Sequence, residues 1–584
     1  MAFLRNLLAA ILGSLVAFGI VFFMFLLFLS LAGSAEQVHI DRHSVLDLNF
    51  PYPISEYSGY DPEDPFSVLF DPSMGLNEIT KAIALAKEDD RIEGISLTGS
   101  YLLAGISQTR AIREALSDFR ESGKFVYAYG DFYMQKDYYL ASVADSVFIN
   151  PAGLFDFKGL AAEVLYFGDF QEKSGIRMEV VRHGKYKSAV EPFLSNEMSE
   201  DNRRQLKELL GSIWDGMRDE IAESRGLPAD SLDRIADGLE ARDPSGALSG
   251  GLVDGIIYQD EFEEKLLRES GGSGDSPKRV TLSEYLKYTK NKRQYDGPDR
   301  IAVIYAQGEI LYGQSGSNYI DPNTMRKALR KARKDRKVKA VVLRINSPGG
   351  SALSSELIWR EIQQLRQDKP VVVSFSDIAA SGGYYMGVGA DKIITEPTTL
   401  TGSIGVFATI PNISGLADKV GINSEQVGTH RQSVDYSLFE PMSDEFREVL
   451  REGIETTYRT FLERVAEGRG ITVAQADSLA QGRVWSGADA VKLGLADALG
   501  GMPEALEAAA GLAGISDYRI VPLPQYKTGL ERLLDDLGGT GAEARETLLE
   551  EELGSDWAEV LRAIRAQLRQ EGLQARLPFT IKIH

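Results

Sequence analysis

Hydrophobic patterning divides this chain into one long apolar run followed by two similar successions of short ones. From Leu7 to Ala32 no residue is charged over 26 positions, enough to cross a bilayer as a helix, for which about 20 are needed. Arg5 precedes the run, and Glu36 and Asp41 follow it. The positive-inside rule then sets the N-terminus in the cytoplasm and the remaining chain outside. A cleaved signal peptide is the competing reading, since Ala32-Gly33-Ser34-Ala35 offers small residues for cleavage. Signal h-regions usually span about 7–15 residues, which favours a retained anchor.

Beyond this run, β-rich stretches alternate with helical spacing, the signature of α/β units. Ile301–Tyr305 and Ala340–Ile345 read as buried strands, Ser354–Arg366 as a helix through Leu357, Ile358, Ile362 and Leu365, and Val371–Phe375 as a further strand. The same order occurs earlier, with strands near Ile95–Leu97 and Phe125–Tyr129 around a helix at Thr109–Arg120. Long helical stretches at Ser199–Arg225 and Ser443–Glu467 also correspond.

The correspondence is a duplication. Residues 92–159 align without a gap to residues 338–405, at a constant offset of 246. Ile112 falls on Ile358, Asp131 on Asp377, Tyr138-Tyr139 on Tyr384-Tyr385, and Pro151, Leu154 and Gly159 on Pro397, Leu400 and Gly405. The copies differ where chemistry is expected. Ala379-Ala380-Ser381-Gly382-Gly383 is matched by Tyr133-Met134-Gln135-Lys136-Asp137. Conversely, the first copy has Gly184-Lys185-Tyr186-Lys187-Ser188-Ala189, and the second has no lysine between Lys419 and Lys492. One half carries a candidate nucleophile and the other a candidate base, which suggests a single composite active site.

The expected organisation is a cytoplasmic N-terminus and anchor over 1–35, a first repeat over 36–268 and a linker over 269–298. A second repeat over 299–523 and a helical tail over 524–584 follow. Glu-Ser-Gly-Gly-Ser-Gly-Asp-Ser-Pro at 269–277 is the clearest flexible stretch. In the tail, Asp556–Gln570 sets Trp557, Val560, Leu561, Ile564 and Leu568 on one helical face, read as a packing or oligomer contact. A net charge of −21 argues against a nucleic-acid partner, which needs a basic footprint. The absence of cysteine excludes disulfides and thiolate chemistry. The five histidines lack metal-ligand spacing, so neither metal nor cofactor is expected.

The glycines of Ser347-Pro348-Gly349-Gly350-Ser351, after a strand and before a helix, can present backbone N–H groups to a developing oxyanion. Chain reversal alone explains most such turns. Ser381 lies among small residues, and the N–H of Gly382 could complete an oxyanion hole; a helix N-cap is the plain alternative. A serine hydroxyl needs a base. Lys187 serves only if burial or cationic neighbours keep it neutral, and most lysines are solvated. His430, 49 residues after Ser381, is its rival. Ser403, in Leu400-Thr401-Gly402-Ser403-Ile404-Gly405, could orient the amine. Lys185 would share a face with Lys187 on an extended strand.

Ser-Pro-Gly-Gly, Ala-Ala-Ser-Gly-Gly-Tyr, Leu-Thr-Gly-Ser-Ile-Gly, Tyr-Lys-Ser-Ala-Val-Glu-Pro-Phe and Gly-Arg-Val-Trp-Ser-Gly together resemble signal peptide peptidase A. Length and anchor resemble its duplicated long form, and the likeness runs from the anchor to about residue 523. It implies an α/β fold of tandem Clp protease/crotonase-like domains behind a single N-terminal transmembrane helix. It also implies a Ser–Lys dyad, with Ser381 as nucleophile and Lys187 as general base. Ser403 is then the supporting serine, and Gly350 and Gly382 are the oxyanion donors. Lys187, rather than Lys185, directly precedes the Ser-Ala of the motif. The resemblance further implies a homotetramer on the extracytoplasmic face of a bacterial inner membrane, anchored in lipid and cleaving signal-peptide remnants and other apolar peptides. A crotonase-like acyl-CoA enzyme and a catalytically silent membrane scaffold are the alternatives.

Overall fold

The computed structural model describes residues 2–33, 38–59, 74–99, 101–290, 292, 294–313, 318–430, 433, 436–524 and 574–576. The apolar N-terminal run is a single helix, Ala2–Gly33. Its Arg5–Phe25 stretch has a mean hydropathy of 2.6 and none of it is buried in the protein. Phe18, Val21 and Phe23 are among the large apolar side chains left open. A helix satisfies its own backbone, so such a surface suits lipid.

Each repeat forms its own sheet. The first runs Gly255–Ile256, Ser146–Phe155, Phe125–Tyr133, Ile92–Thr98, Ser44–Leu48, Lys278–Thr281, with every neighbouring pair parallel. The second is built on Val371–Ala380, Val338–Ser347, Asp299–Gln307 and Tyr518–Leu523, again parallel. Strands buried on both faces need continuous apolar runs. Val341, Val342, Leu343, Val371, Val372 and Val373 are all fully buried. Parallel neighbours require crossovers, supplied by helices such as Ile106–Arg120 and Ala352–Arg366.

The duplication extends to the long helices. Glu200–Arg225 and Asp444–Arg469 each have 26 residues. Ser199 and Ser443 cap them by accepting N–H bonds from Asn202 and Phe446, and acidic residues fill both first turns. Left-handed Gly226 and Gly470 end them. Part of the stretch expected as linker is structured: Lys278–Thr281 is an edge strand of the first sheet, and Leu282–Tyr288 is a helix with Leu282, Tyr285 and Leu286 buried. The amphipathic helix expected at Asp556–Gln570 lies outside the described residues; farther on, Gln574–Arg576 is a strand.

Two features lock the repeats together. A third sheet runs Tyr319–Ile320, Glu309–Ile310, Gly349–Ser351, Gln574–Arg576, Val406–Asn412, Arg177–His183. Its last pair is antiparallel from Val406↔His183 to Asn412↔Arg177, so a strand of the first repeat completes the second. Glu56 lies at the centre of a buried polar cluster. Its carboxylate accepts bonds from Gln108 Nε2 (2.8 Å) in the first repeat, and from Arg344 Nε (2.8 Å), Ser376 Oγ (2.5 Å) and Asn346 Nδ2 (3.1 Å) in the second. Beside it, Asp377 accepts the N–H of Ser107 (2.8 Å) and Gln108 (3.2 Å), and Arg110 pairs with Glu396 at 2.7 Å. Burial at this seam pushes the Asp377 carboxyl up to about 6.

Candidate active site

Ser381 stands between the strand Val371–Ala380 and the helix Gly382–Gly387. Its backbone is held at φ 54°, ψ −114°, a region L-residues rarely occupy. Three contacts fix this turn: the Ser381 N–H donates to Gly402 O at 2.8 Å, Tyr385 N–H donates to Ser381 O at 2.8 Å, and Gly383 packs on Ser347. A Cβ on Gly383 would lie 2.8 Å from Ser347 O. The side chain sits at the N-cap position yet makes no capping bond. It faces Lys187 instead.

Lys187 follows the strand Arg177–His183 that crosses into the second repeat. Residues 184–187 form a turn, not a strand. Gly184 adopts φ 100°, and Tyr186 N–H donates to Gln481 O at 2.9 Å. Lys187 Nζ lies 2.9 Å from Ser381 Oγ, 3.0 Å from Ser403 Oγ and 3.0 Å from the Ser403 carbonyl oxygen. Residues 194 positions apart thus meet within one chain. Lys187, Ser381 and Ser403 are each fully buried.

Burial alone holds the Lys187 amine well below its usual 10.5. The three contacts fit the neutral amine. Its two N–H groups can donate to the Ser403 carbonyl and hydroxyl, and its lone pair can accept the Ser381 proton. Ser403 is presented by its own positive φ of 49°, and its N–H donates to Arg483 O at 2.6 Å.

Two glycines that sequence reasoning did not assign make room for the amine. A Cβ on Gly405 would lie 3.1 Å from Lys187 Cδ, and one on Gly482 would lie 2.6 Å from both Lys187 N and Cβ. Gly482 opens the Gly-Arg-Val-Trp-Ser-Gly motif, which is the signal that marked it. Gly350 lies on the strand Gly349–Ser351 at φ 149°, so close to its neighbour that a Cβ would sit 2.2 Å from Ile310 O. Gly382 is the first residue of the helix packed against this strand, where an N–H has no partner one turn earlier.

The rivals lie elsewhere. His430 is exposed and bonded locally to Thr429 and Ser433. Lys185 is exposed, with Nζ 4.7 Å from the Tyr186 ring centre. In the first repeat the matching positions are filled. Gln135, at the place of Ser381, accepts from the N–H of Lys158 and Gly159 and donates to Gly159 O. Phe157, at the place of Ser403, is buried.

The chain matches Peptidase family S49 twice, over residues 118–271 and 363–516. It is 36% identical to Protease 4 of Salmonella typhi over 474 residues, 80% of this chain and 76% of that one. Protease 4 of Haemophilus influenzae is 36% identical over 443 residues, 74% and 72% of the two chains. Serine protease SPPA of the Arabidopsis thaliana chloroplast is 33% identical over 490 residues, 82% and 72%. A ClpP1 variant of Listeria monocytogenes superposes on 35% of this chain and 94% of its own at a TM-score of 0.24 and 16% identity. With two matched segments, one in each repeat, and relatives alike over most of its length, the chain belongs to Peptidase family S49 and is a serine peptidase.

Proposed function

We propose that this peptidase cleaves signal-peptide remnants and other apolar peptides with Ser381 as nucleophile and Lys187 as general base. The observation that carries it is a buried, charge-depleted amine 2.9 Å from a buried serine hydroxyl on a strained turn. Lys187 takes the Ser381 proton as Oγ attacks the peptide carbonyl carbon. The N–H groups of Gly350 and Gly382 hold the oxyanion. The protonated amine then passes its proton to the leaving nitrogen, the C–N bond breaks and an acyl-enzyme remains. Water attacks the ester, with Lys187 again as base and Ser403 keeping its Nζ aimed. Family membership disfavours the acyl-CoA and scaffold readings. A fluorogenic apolar peptide tests the assignment: Ser381→Ala and Lys187→Ala should each abolish turnover in a protein that still folds, and retained turnover in either would refute it.

The site faces the periplasm of a bacterial inner membrane, on the charge pattern around the N-terminal helix. The working unit is a homotetramer assembled head to tail. The duplication supports this reading. Carried past residue 159 at the same offset, it matches the helix Gly168–Ser174 to Ser414–Val420, and Gly175 to Gly421, both at φ 79°. Residues 160–166 are then the counterpart of Val406–Asn412, and 423–429 that of Arg177–His183. Those two strands pair within the chain, but their counterparts are in no sheet. Val427 is 97% exposed where its counterpart Val181 is 8% exposed. A second copy pairs 160–166 with its own 423–429, repeating the internal joint between chains. Ala162→Cys with Val427→Cys, counterparts of the Ala408↔Val181 pair, should oxidise to covalent multimers in this cysteine-free chain. Monomers only would remove the model.

A further inference from the structure

The helices Leu76–Lys87 and Pro322–Lys334 begin at the same offset of 246 as the rest of the duplication. They bury the same five positions: Leu76, Ile79, Ala82, Ile83 and Ala86 in the first, Pro322, Met325, Ala328, Leu329 and Ala332 in the second. Packing asks the same of both, so they differ only on the open side. There, Arg326–Lys339 holds nine basic residues and one acidic, whereas its counterpart Thr80–Glu93 holds three and four. The fold therefore does not require this charge, and it runs against a chain whose net charge is −21. Attraction to the helix C-terminal dipole accounts for the last turn at most. Glu361 takes up Arg326 and Arg330, and Asp368 takes up Arg333. Lys327, Lys334, Arg336 and Lys337 are exposed and, among the described residues, form no ion pair.

We propose that this basic face docks on an anionic phospholipid surface, that of the bilayer holding the N-terminal helix. The proposal rests on the anchor reading and is independent of the dyad. The point where the chain enters the first repeat gives the direction. Ten residues separate Gly33, the end of the apolar helix, from the strand Ser44–Leu48, and such a stretch spans at most about 35 Å. Ser44 opens its parallel sheet and donates its N–H to Arg91 O at 3.0 Å. The equivalent bond in the second repeat runs from Arg300 N–H to Lys337 O at 2.9 Å, inside the basic stretch. The end of the sheet that is tethered in one repeat is thus the end that carries the cations in the other. Lysine and arginine close to an anionic bilayer are drawn to its headgroups over about one Debye length. Lys334 and Arg336 also stay open when repeats join, because their counterparts Glu88 and Asp90 are exposed beside the internal joint. Docked this way, the second sheet turns Ser381, beyond the far end of Val371–Ala380, away from the bilayer.

The test uses the full chain in nanodiscs of phosphatidylcholine, alone or mixed with phosphatidylglycerol. The chain has no cysteine, so Arg336→Cys takes a single dye, and a rhodamine-headgroup lipid accepts its energy. Transfer should be at least about twofold higher in the anionic discs and should fall back in high salt. Adding Lys334→Glu and Lys337→Glu should abolish the difference while circular dichroism stays that of the parent. The milder Lys334→Gln with Lys337→Gln should shrink it. Equal transfer in the two discs, or a difference that charge reversal leaves in place, overturns the proposal and spares the anchor. If only an added oligonucleotide shifts the dye's emission, the partner is a nucleic acid and the proposal falls. Release of the chain from the discs by salt removes the anchor, and the proposal with it.

Discussion

A Cβ placed on Gly482 would lie 2.6 Å from the Cβ of Lys187. The approach is backbone to backbone, because Lys187 N is equally near, and Gly482 also holds φ at 79°. Gly482→Ala must therefore push the lysine turn outward. Displacement of a catalytic group by about 1 Å can cost on the order of 100-fold in rate. We expect Gly482→Ala to lose at least about that much kcat while its circular dichroism and KM stay close to wild type. An undiminished kcat would mean that this packing does not aim the amine.

Lys187 titrates below its usual 10.5, and only the neutral amine can accept a proton. The kcat/KM profile, which reports the free enzyme, should rise with pH along one limb whose midpoint lies well below 10.5. A midpoint at the ordinary lysine value would contradict a buried base.

The same depression has a stability consequence. Between the lowered folded value and about 10.5, the unfolded chain binds more protons than the folded one, so stability increases with pH across that window. Below it, the buried amine costs stability. Lys187→Met should raise Tm at neutral pH, with the gain shrinking as pH approaches 10.5. A gain independent of pH would point to packing alone.

Ser403 offers Lys187 two acceptors, of which only the hydroxyl is removable. Ser403→Ala should lower kcat by about 10- to 100-fold with KM little changed, as expected where a positioning contact on a general base is lost. A matching rise in KM would instead assign Ser403 to substrate binding.

The Glu56–Arg344 pair lies within 2.8 Å and is almost wholly buried. Removing one partner of such a pair typically costs about 3–5 kcal/mol, because the other charge is stranded. Glu56→Ala should lower stability by about that amount in urea melts, and the double variant with Arg344→Met should lose less. Because Glu56 and Gln108 join the repeats, peptidase activity should fall alongside stability.

How far the sequence foretold this architecture varies along the chain. Val371–Phe375, Ser354–Arg366 and both long helices were legible because apolar spacing and capping serines act locally. Ser381 and Lys187 were legible as a pair because duplication left each without a counterpart. The choice between Lys187 and His430 was not, since it depends on the crossing of Arg177–His183 into the second repeat, a contact with no local signal. Lys278–Tyr288 was hidden by its Gly/Ser-rich neighbour, although Val280, Leu282 and Tyr285 have the spacing of a buried edge. Gly405 and Gly482 act through space they leave empty, which composition does not register.

That crossing strand also imposes an order of events. The amine is made early in synthesis and the hydroxyl much later, and neither half holds both. If the proposed dyad is the machinery, a polypeptide still in synthesis stays inert until its rear half has folded and received the front half's strand.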